Sequence, residues 1–166
     1  PDHAVARGEP FSEPNQLALI EAVRLYTNTA SLLAAMDGPG HEPSRLTPDV
    51  LCWPHHFKLA REVVLGETDD GATRSTVGVG LNPPDSLSDC GYWYVSPMEK
   101  QHNAEDAPAM PPLPFGGWHH REGRFPMAIL GIDSLAGIED QREQHERVCA
   151  FLTAAFNSCA EARERA

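Results

Sequence analysis

Several signals of common biochemical functions are missing from this chain of 166 residues. No serine lies in a Gly-x-Ser-x-Gly motif, so the nucleophile elbow of the α/β-hydrolases is absent. The Gly78-x-Gly80 pair is followed by Asn82-Pro83-Pro84 and not by the start of a helix, which disfavours a dinucleotide site. The four cysteines include no Cys-x-x-Cys pair, which disfavours a zinc ribbon and predicts reduced thiols at Cys52, Cys90, Cys149 and Cys159.

Positive charge is scarce. The chain has 13 lysines and arginines against 24 acidic residues, a formal net charge of -11, and no basic run longer than a pair. Such a surface repels a phosphate backbone and anionic lipids, so we expect no nucleic-acid partner and no membrane partner. No stretch approaches the roughly 20 apolar residues of a membrane span, and the first ten residues do not resemble a signal peptide. We therefore expect a soluble, cytoplasmic protein with a small-molecule partner, and the sequence leaves its oligomeric state open.

The length suits one domain over residues 1–166, and 41% hydrophobic residues are enough for one core. Residues 1–11 read as an irregular lead-in, after which Ser12 is a suitable cap for a first helix. The apolar stripe of that helix follows steps of four and three and should pack on the core: Leu19, Val23, Tyr26, Ala30 and Leu33. A last helix is expected over residues 138–161.

Between the helices the pattern predicts about four strands. Alternation over residues 57–65 favours a strand, with a short helix as the alternative because Arg61 breaks the apolar face. Further strands are expected at 75–81, at 91–96 and at 118–132, the last interrupted at Gly123 and Pro126. A long loop spans 97–117. Together these elements predict an α+β domain with a mostly antiparallel sheet packed against an N-terminal and a C-terminal helix.

Two stretches place paired histidines beside a tryptophan. The first is Trp53-Pro54-His55-His56-Phe57, and the second is Trp118-His119-His120-Arg121-Glu122. In an extended strand His120 and Glu122 share a face and can present nitrogen and oxygen ligands together. His55 or His56 from another strand would complete a set of two histidines and one carboxylate, which leaves coordination positions open on zinc or iron.

The spacing does not single out that chemistry. No His-Glu-x-x-His helix is present, and neighbouring histidines on a strand diverge. Three interpretations stay open for these residues: a divalent-metal site on His55, His120 and Glu122, a metal-free polar pocket, or a purely structural role. In the first two, His55, His56, His120 and Glu122 are the candidate catalytic groups. The aromatic side chains would then hold a substrate: Trp53, Tyr94 and Trp118.

The Trp53-Pro54-His55-His56-Phe57 stretch resembles a family of uncharacterised, mainly actinobacterial proteins that carry a Trp-Pro-His-His-Phe-Asp motif. The likeness continues through Val77-Gly78-Val79-Gly80, Pro84-Asp85, Gly91-Tyr92-Trp93-Tyr94-Val95 and His120-Arg121-Glu122-Gly123. It covers roughly residues 50–132 and implies a bacterial protein. The family carries no established reaction, so the resemblance supports the choice of residues and not a mechanism.

This chain departs from the family motif at Lys58, which stands where the motif has an acidic residue. If that acid were a ligand or a base, its loss would alter or abolish the activity. The sequence thus predicts a His, Glu and aromatic pocket, either in a metal-dependent enzyme acting on a small organic molecule or in a non-catalytic module that binds a small molecule or a protein. A structural subunit is a third interpretation.

Overall fold

The computed structural model describes residues 7–8, 15–36, 50–54, 56–67, 74–98, 109–121 and 124–164. Within these ranges the chain forms two long helices and six strands. The elements are α1 (Gln16–Ala35), β1 (Leu51–Trp53), β2 (Lys58–Glu67), β3 (Arg74–Asn82), β4 (Tyr92–Pro97), β5 (Gly117–Arg121), β6 (Arg124–Gly131), a short 3-10 helix (Ile132–Leu135) and α2 (Gln141–Glu164). The expected α+β class with an antiparallel sheet and two flanking helices is confirmed.

The sheet has the order β1-β2-β3-β4-β6-β5, and every neighbouring pair is antiparallel. The expectation of about four strands is therefore too low. The three-residue β1 is too short to show an alternating pattern, and the expected strand over 118–132 is a hairpin of two strands, β5 and β6. The strand expected at residues 91–96 is β4, which lies centrally between β3 and β6 and is buried on both faces.

Both helices pack on the same face of the sheet. The main core joins Val79, Trp93 and Leu130 of the strands to Leu33 of α1 and Phe151 of α2. The opposite face carries a smaller cluster of Ala60, Tyr92, Tyr94 and Met127. Period-two alternation in β3 and β4 produces this division, because successive side chains of a strand point to opposite faces. Neither helix in the described ranges is long and apolar enough to cross a bilayer.

Helix α1 begins later than the sequence predicted. Asn15 caps it, accepting hydrogen bonds from the backbone nitrogens of Leu17 and Ala18, whereas Ser12 lies outside the described residues. The first half of its apolar stripe is not core: Leu19 is 51% and Val23 is 57% exposed. The helix meets the main core only from Leu25 onward. Helical periodicity shows which residues share a face, but not how far the supporting sheet extends beneath that face.

The turn between β1 and β2 holds the described part of the first histidine motif. Phe57 was expected in the strand, but it lies in the turn with φ +50 and is 68% exposed. The backbone bends at this point, where His56 N donates to the carbonyl oxygen of Trp53 at 3.2 Å. The Tyr26 hydroxyl donates to the carbonyl oxygen of Phe57 at 2.5 Å, so α1 holds the turn against its own surface. The alternative of a short helix here is wrong, since β2 starts at Lys58.

Candidate ligand cleft between the two helices

The sequence-predicted site residues do not come together among the described residues. Trp53 lies on β1 and Trp118 on β5, which are the two edge strands of the sheet. Five strand spacings separate them, about 24 Å along the sheet. Tyr94 and Trp118 also lie on opposite faces, since Tyr94 belongs to the smaller cluster and Trp118 packs against the main core. One pocket containing all three aromatic residues is therefore not formed here.

Of the described histidines in the two motifs, His56 and His120 are exposed and His119 is half-buried. His56 lies in the turn after β1, and His120 lies on the edge strand β5. His55 and Glu122 fall outside the described residues. Among the described residues, no group of three or more His, Cys, Asp or Glu side chains could hold a metal ion. The predicted site on His55, His120 and Glu122 stays a prediction, because two of its three members are not described.

Tyr94 is buried in protein on the sheet face away from the helices. Its ring lies over Gly80, where an added Cβ would come within 3.0 Å of Tyr94 Cε1, and the Lys58 ammonium is 4.9 Å from the ring centroid. The Tyr94 hydroxyl has no hydrogen-bond partner and no contact with solvent. Burial, and then the neighbouring Tyr92 and Glu62, raise the pKa of Tyr94 well above its usual value. The glycine-lined face of β3 thus admits a neighbouring ring.

Burial also lowers the pKa of Lys58, and the nearby Glu62 opposes that shift.

Asp85 organises the loop between β3 and β4. Asp85 Oδ2 accepts hydrogen bonds from Asn82 Nδ2 at 2.7 Å and from the Tyr92 hydroxyl at 2.8 Å. Its second oxygen accepts from Leu87 N at 2.8 Å. Asp85, one of the residues that carry the family resemblance, is therefore engaged in fixing its own loop.

A concave site does occur on the other face. Helix α1 packs on β2 and β3, and α2 packs on β3, β4 and β6, so the sheet forms the floor between them. The resulting cleft has a volume of about 1530 Å³. Its wall and floor include Leu33, Val63, Val79, Trp93 and Phe156. Small-molecule sites combine apolar walls with placed polar groups, and the described lining of this cleft contains both kinds of residue.

Two hydrogen bonds from the floor hold α1 beside the cleft. Trp93 Nε1 donates to Thr29 Oγ1 at 3.1 Å, and Arg61 Nη1 donates to the carbonyl oxygen of Leu33 at 2.8 Å. Trp93 and Arg61 both line the cleft, and both are buried. Arg61 lies between Leu59 and Val63 on the inward face of β2. The sequence showed it as an interruption of an apolar face, and that interruption was the available signal for a cleft residue.

The rim of the cleft is polar. On α2 the Cys149 thiol and His145 Nε2 are 3.5 Å apart, one helical turn from each other. Burial, followed by nearby Glu146, raises the pKa of Cys149, so the pair holds a neutral thiol and not an activated thiolate. On α1 the exposed Arg24 and Glu21 form an ion pair of 2.7 Å. Cys149 is half-buried and lines the cleft.

Cys159 offers no reactive thiol. All four thiols are free, and Cys159 is buried in the main core. Burial raises the pKa of the Cys159 thiol to about 12.

Comparison with family models, with curated proteins and with solved structures finds no match for this chain. The resemblance to the Trp-Pro-His-His-Phe family accordingly stays a prediction.

Proposed function

We propose that this chain is a non-catalytic binding module that holds a small apolar organic molecule in the cleft between α1 and α2. The observation that carries the proposal is the cleft itself, whose floor of core side chains lies below two helices that do not close over it. The apolar area still open to water in the cleft belongs to half-buried lining residues such as Leu25, Leu32 and Ile132. Covering it stabilises an apolar ligand by roughly 25 cal/mol for each Å² removed from water.

The interior of the cleft favours binding over catalysis. No metal cluster lies among the described residues, and the Cys149 thiol on the rim is held in its neutral form by burial. The polar groups on the floor are used to hold α1: Thr29 accepts from Trp93, and Arg61 donates to the end of the helix. These contacts make a rigid wall, which suits a site that holds a ligand without reacting with it.

A neutral fluorescent probe, N-phenyl-1-naphthylamine, tests the proposal. We expect saturable fluorescence enhancement with one probe molecule for each chain. Asn28→Trp places a large side chain at a residue that lines the cleft and should weaken binding. Thr27→Trp is the matched control, because Thr27 is the adjacent exposed residue of the same helix and does not line the cleft. Equal binding by the wild type and both variants would place the probe elsewhere and overturn the proposal.

The metal-dependent enzyme remains the alternative, supported by the two stretches of the sequence that carry paired histidines beside a tryptophan. It predicts about one zinc or iron ion for each chain in protein purified without chelators, and loss of that ion in His120→Ala. His145→Ala is the control, because His145 lies on α2 beside the cleft and outside both motifs. Elemental analysis by mass spectrometry of the three proteins distinguishes this enzyme from the binding module, which needs no metal.

A further inference from the structure

The most unusual residue of the cleft is Arg61. Its side chain is only 7% exposed, although arginine is seldom fully buried without a charged partner. It lies on the inward face of β2, in a strand whose neighbouring inward residues, Leu59 and Val63, belong to the main core. It also lines the cleft. A positive charge has therefore been placed at the inner wall of the cleft, next to core side chains.

The protein neutralises this charge only in part. Arg61 Nη1 donates to the carbonyl oxygens of Leu33 at 2.8 Å and Met36 at 3.3 Å, which are free at the end of α1. The end of a helix carries the equivalent of about -0.5 charge, so it offsets about half of the guanidinium charge. Arg61 Nε is buried and has no acceptor. No ion pair joins Arg61 to a carboxylate of a described residue. Glu21, which lines the cleft, is paired with Arg24 on the rim.

A role limited to holding α1 explains only one nitrogen of the guanidinium. Nη1 makes both bonds to the helix, whereas Nε is buried and has no acceptor among the described residues, which is costly. A guanidinium presents its donors as a planar fork that fits a carboxylate with two parallel hydrogen bonds. A bound carboxylate would supply both the missing acceptor and the missing negative charge.

We infer that the ligand of the cleft is an organic acid, a single carboxylate on an apolar body, with the carboxylate held by Arg61 and the body lying on the core side chains of the floor. This inference rests on the proposed function of the cleft. One uncompensated cation matches a monoanion, whereas a phosphate dianion would leave excess negative charge in an apolar site. The net charge of -11 further disfavours a more highly charged anion.

Displacement of N-phenyl-1-naphthylamine by decanoate and by 1-decanol tests the inference, because the two compounds share one chain length and differ in the acid group. We expect decanoate to displace the probe at a concentration at least about tenfold lower than 1-decanol does. A hydrogen bond between charged groups is stronger than one between neutral groups. Arg61→Met should bring the two compounds to the same affinity. Arg61→Lys should recover only part of the preference, because lysine keeps the charge and loses the fork.

Arg24→Gln is the matched control, since Arg24 also lines the cleft but is exposed and paired with Glu21. We expect it to keep the full preference for decanoate. Because Arg61 also holds α1, circular dichroism must show that each Arg61 variant is folded. If one is not, the comparison of the two compounds on the wild type decides alone. Equal displacement by decanoate and 1-decanol would overturn the anion inference and leave the cleft intact, whereas a probe that does not bind at all would overturn the proposed function.

Discussion

The indole nitrogen of Trp93 donates to the hydroxyl oxygen of Thr29 at 3.1 Å, which joins the central strand β4 to helix α1 inside the core. Thr29 is 1% exposed and Trp93 is 4% exposed, so water cannot replace either partner. This bond lies at the cleft and fixes the height of α1 above the sheet. The stability of the helix and the shape of the proposed site therefore depend on the same contact.

Thr29→Val removes the acceptor while keeping the size of the side chain. The indole N–H of Trp93 is then buried without a partner, which should lower the free energy of unfolding by about 1–3 kcal/mol. Urea denaturation measures the change. Ser31→Ala is the control: Ser31 is exposed and its hydroxyl only donates to the Thr27 carbonyl of its own helix, so we expect a change within about 0.5 kcal/mol. If the two variants lost similar amounts of free energy of unfolding, the hydrogen bond from Trp93 to Thr29 would stabilise the fold no more than an exposed hydrogen bond does.

Two tyrosines on the same face of β4 should respond in opposite directions to loss of the hydroxyl. Tyr94→Phe removes a buried hydroxyl without a partner and should raise the free energy of unfolding by about 1 kcal/mol. Tyr92→Phe breaks the bonds to Asp85 and Asn82 and should lower it by about 1–3 kcal/mol. Denaturation at pH 7 measures both. A destabilised Tyr94→Phe would mean that the Tyr94 hydroxyl has a partner in solution.

The same tyrosine predicts a dependence of stability on alkaline pH. Because burial raises the pKa of Tyr94 in the folded state, the folded chain keeps a proton that the unfolded chain loses above about pH 10. The stability due to this group is thus complete below pH 10 and lost as pH rises further. Between pH 10 and 11, the free energy of unfolding of Tyr94→Phe should rise relative to that of the wild type by up to about 1.4 kcal/mol. Parallel stability curves for the two proteins across this range would contradict the raised pKa.

Two glycines on one face of β3 should differ sharply when replaced by alanine. A Cβ at Gly80 would collide with the backbone oxygen of Leu59, whereas at Gly78 its nearest neighbour would be the flexible side chain of Met98, at the ordinary contact distance of 3.4 Å. Gly80→Ala should lower the free energy of unfolding by about 1–3 kcal/mol or more. Gly78→Ala should change it by less than about 1 kcal/mol. Thermal denaturation of the pair tests the packing of β3 against β2, and equal melting temperatures would contradict it.

The two ends of the apolar stripe on α1 should also differ. Leu33 is completely buried, so Leu33→Ala should cost about 2–5 kcal/mol through the cavity it leaves. Leu19, on the same stripe, is 51% exposed, and Leu19→Ala should cost less than about 0.5 kcal/mol. Urea denaturation of both variants measures the difference. A large loss in Leu19→Ala would mean that the first half of α1 is covered in solution.

The central part of the fold could be predicted because its signals are local. Tyr92, Trp93, Tyr94 and Val95 strongly favour a strand, and the structure confirms the strand expected at residues 75–81. The edge strand β1 could not be predicted, since three residues are too few for a pattern and its pairing with β2 is a tertiary contact. The exposed half of α1 was missed for a similar reason, because only the extent of the sheet decides where the stripe stops being core.

The candidate site was less accessible to sequence reasoning than the fold. The two stretches with paired histidines beside a tryptophan were grouped because they resemble each other. The order of strands, however, places Trp53 and Trp118 on opposite edges of the sheet. Nothing in the separate stretches encodes that order. The sequence, by contrast, showed Arg61 as a charge within an apolar stripe. Only the structure shows that the end of α1 lies against Arg61 and accepts its hydrogen bond.

The sequence by itself determined the α+β class, the central strands and the two helices, because hydrophobic periodicity acts over neighbouring residues and specifies which face of each element is buried. Only the tertiary structure decided which elements became neighbours. It separated the two histidine motifs, buried Tyr94 beneath Lys58, and placed Arg61 and Trp93 on the floor of a cleft between the helices. These relationships depend on strand order and helix placement, which arise from contacts between residues far apart in the chain.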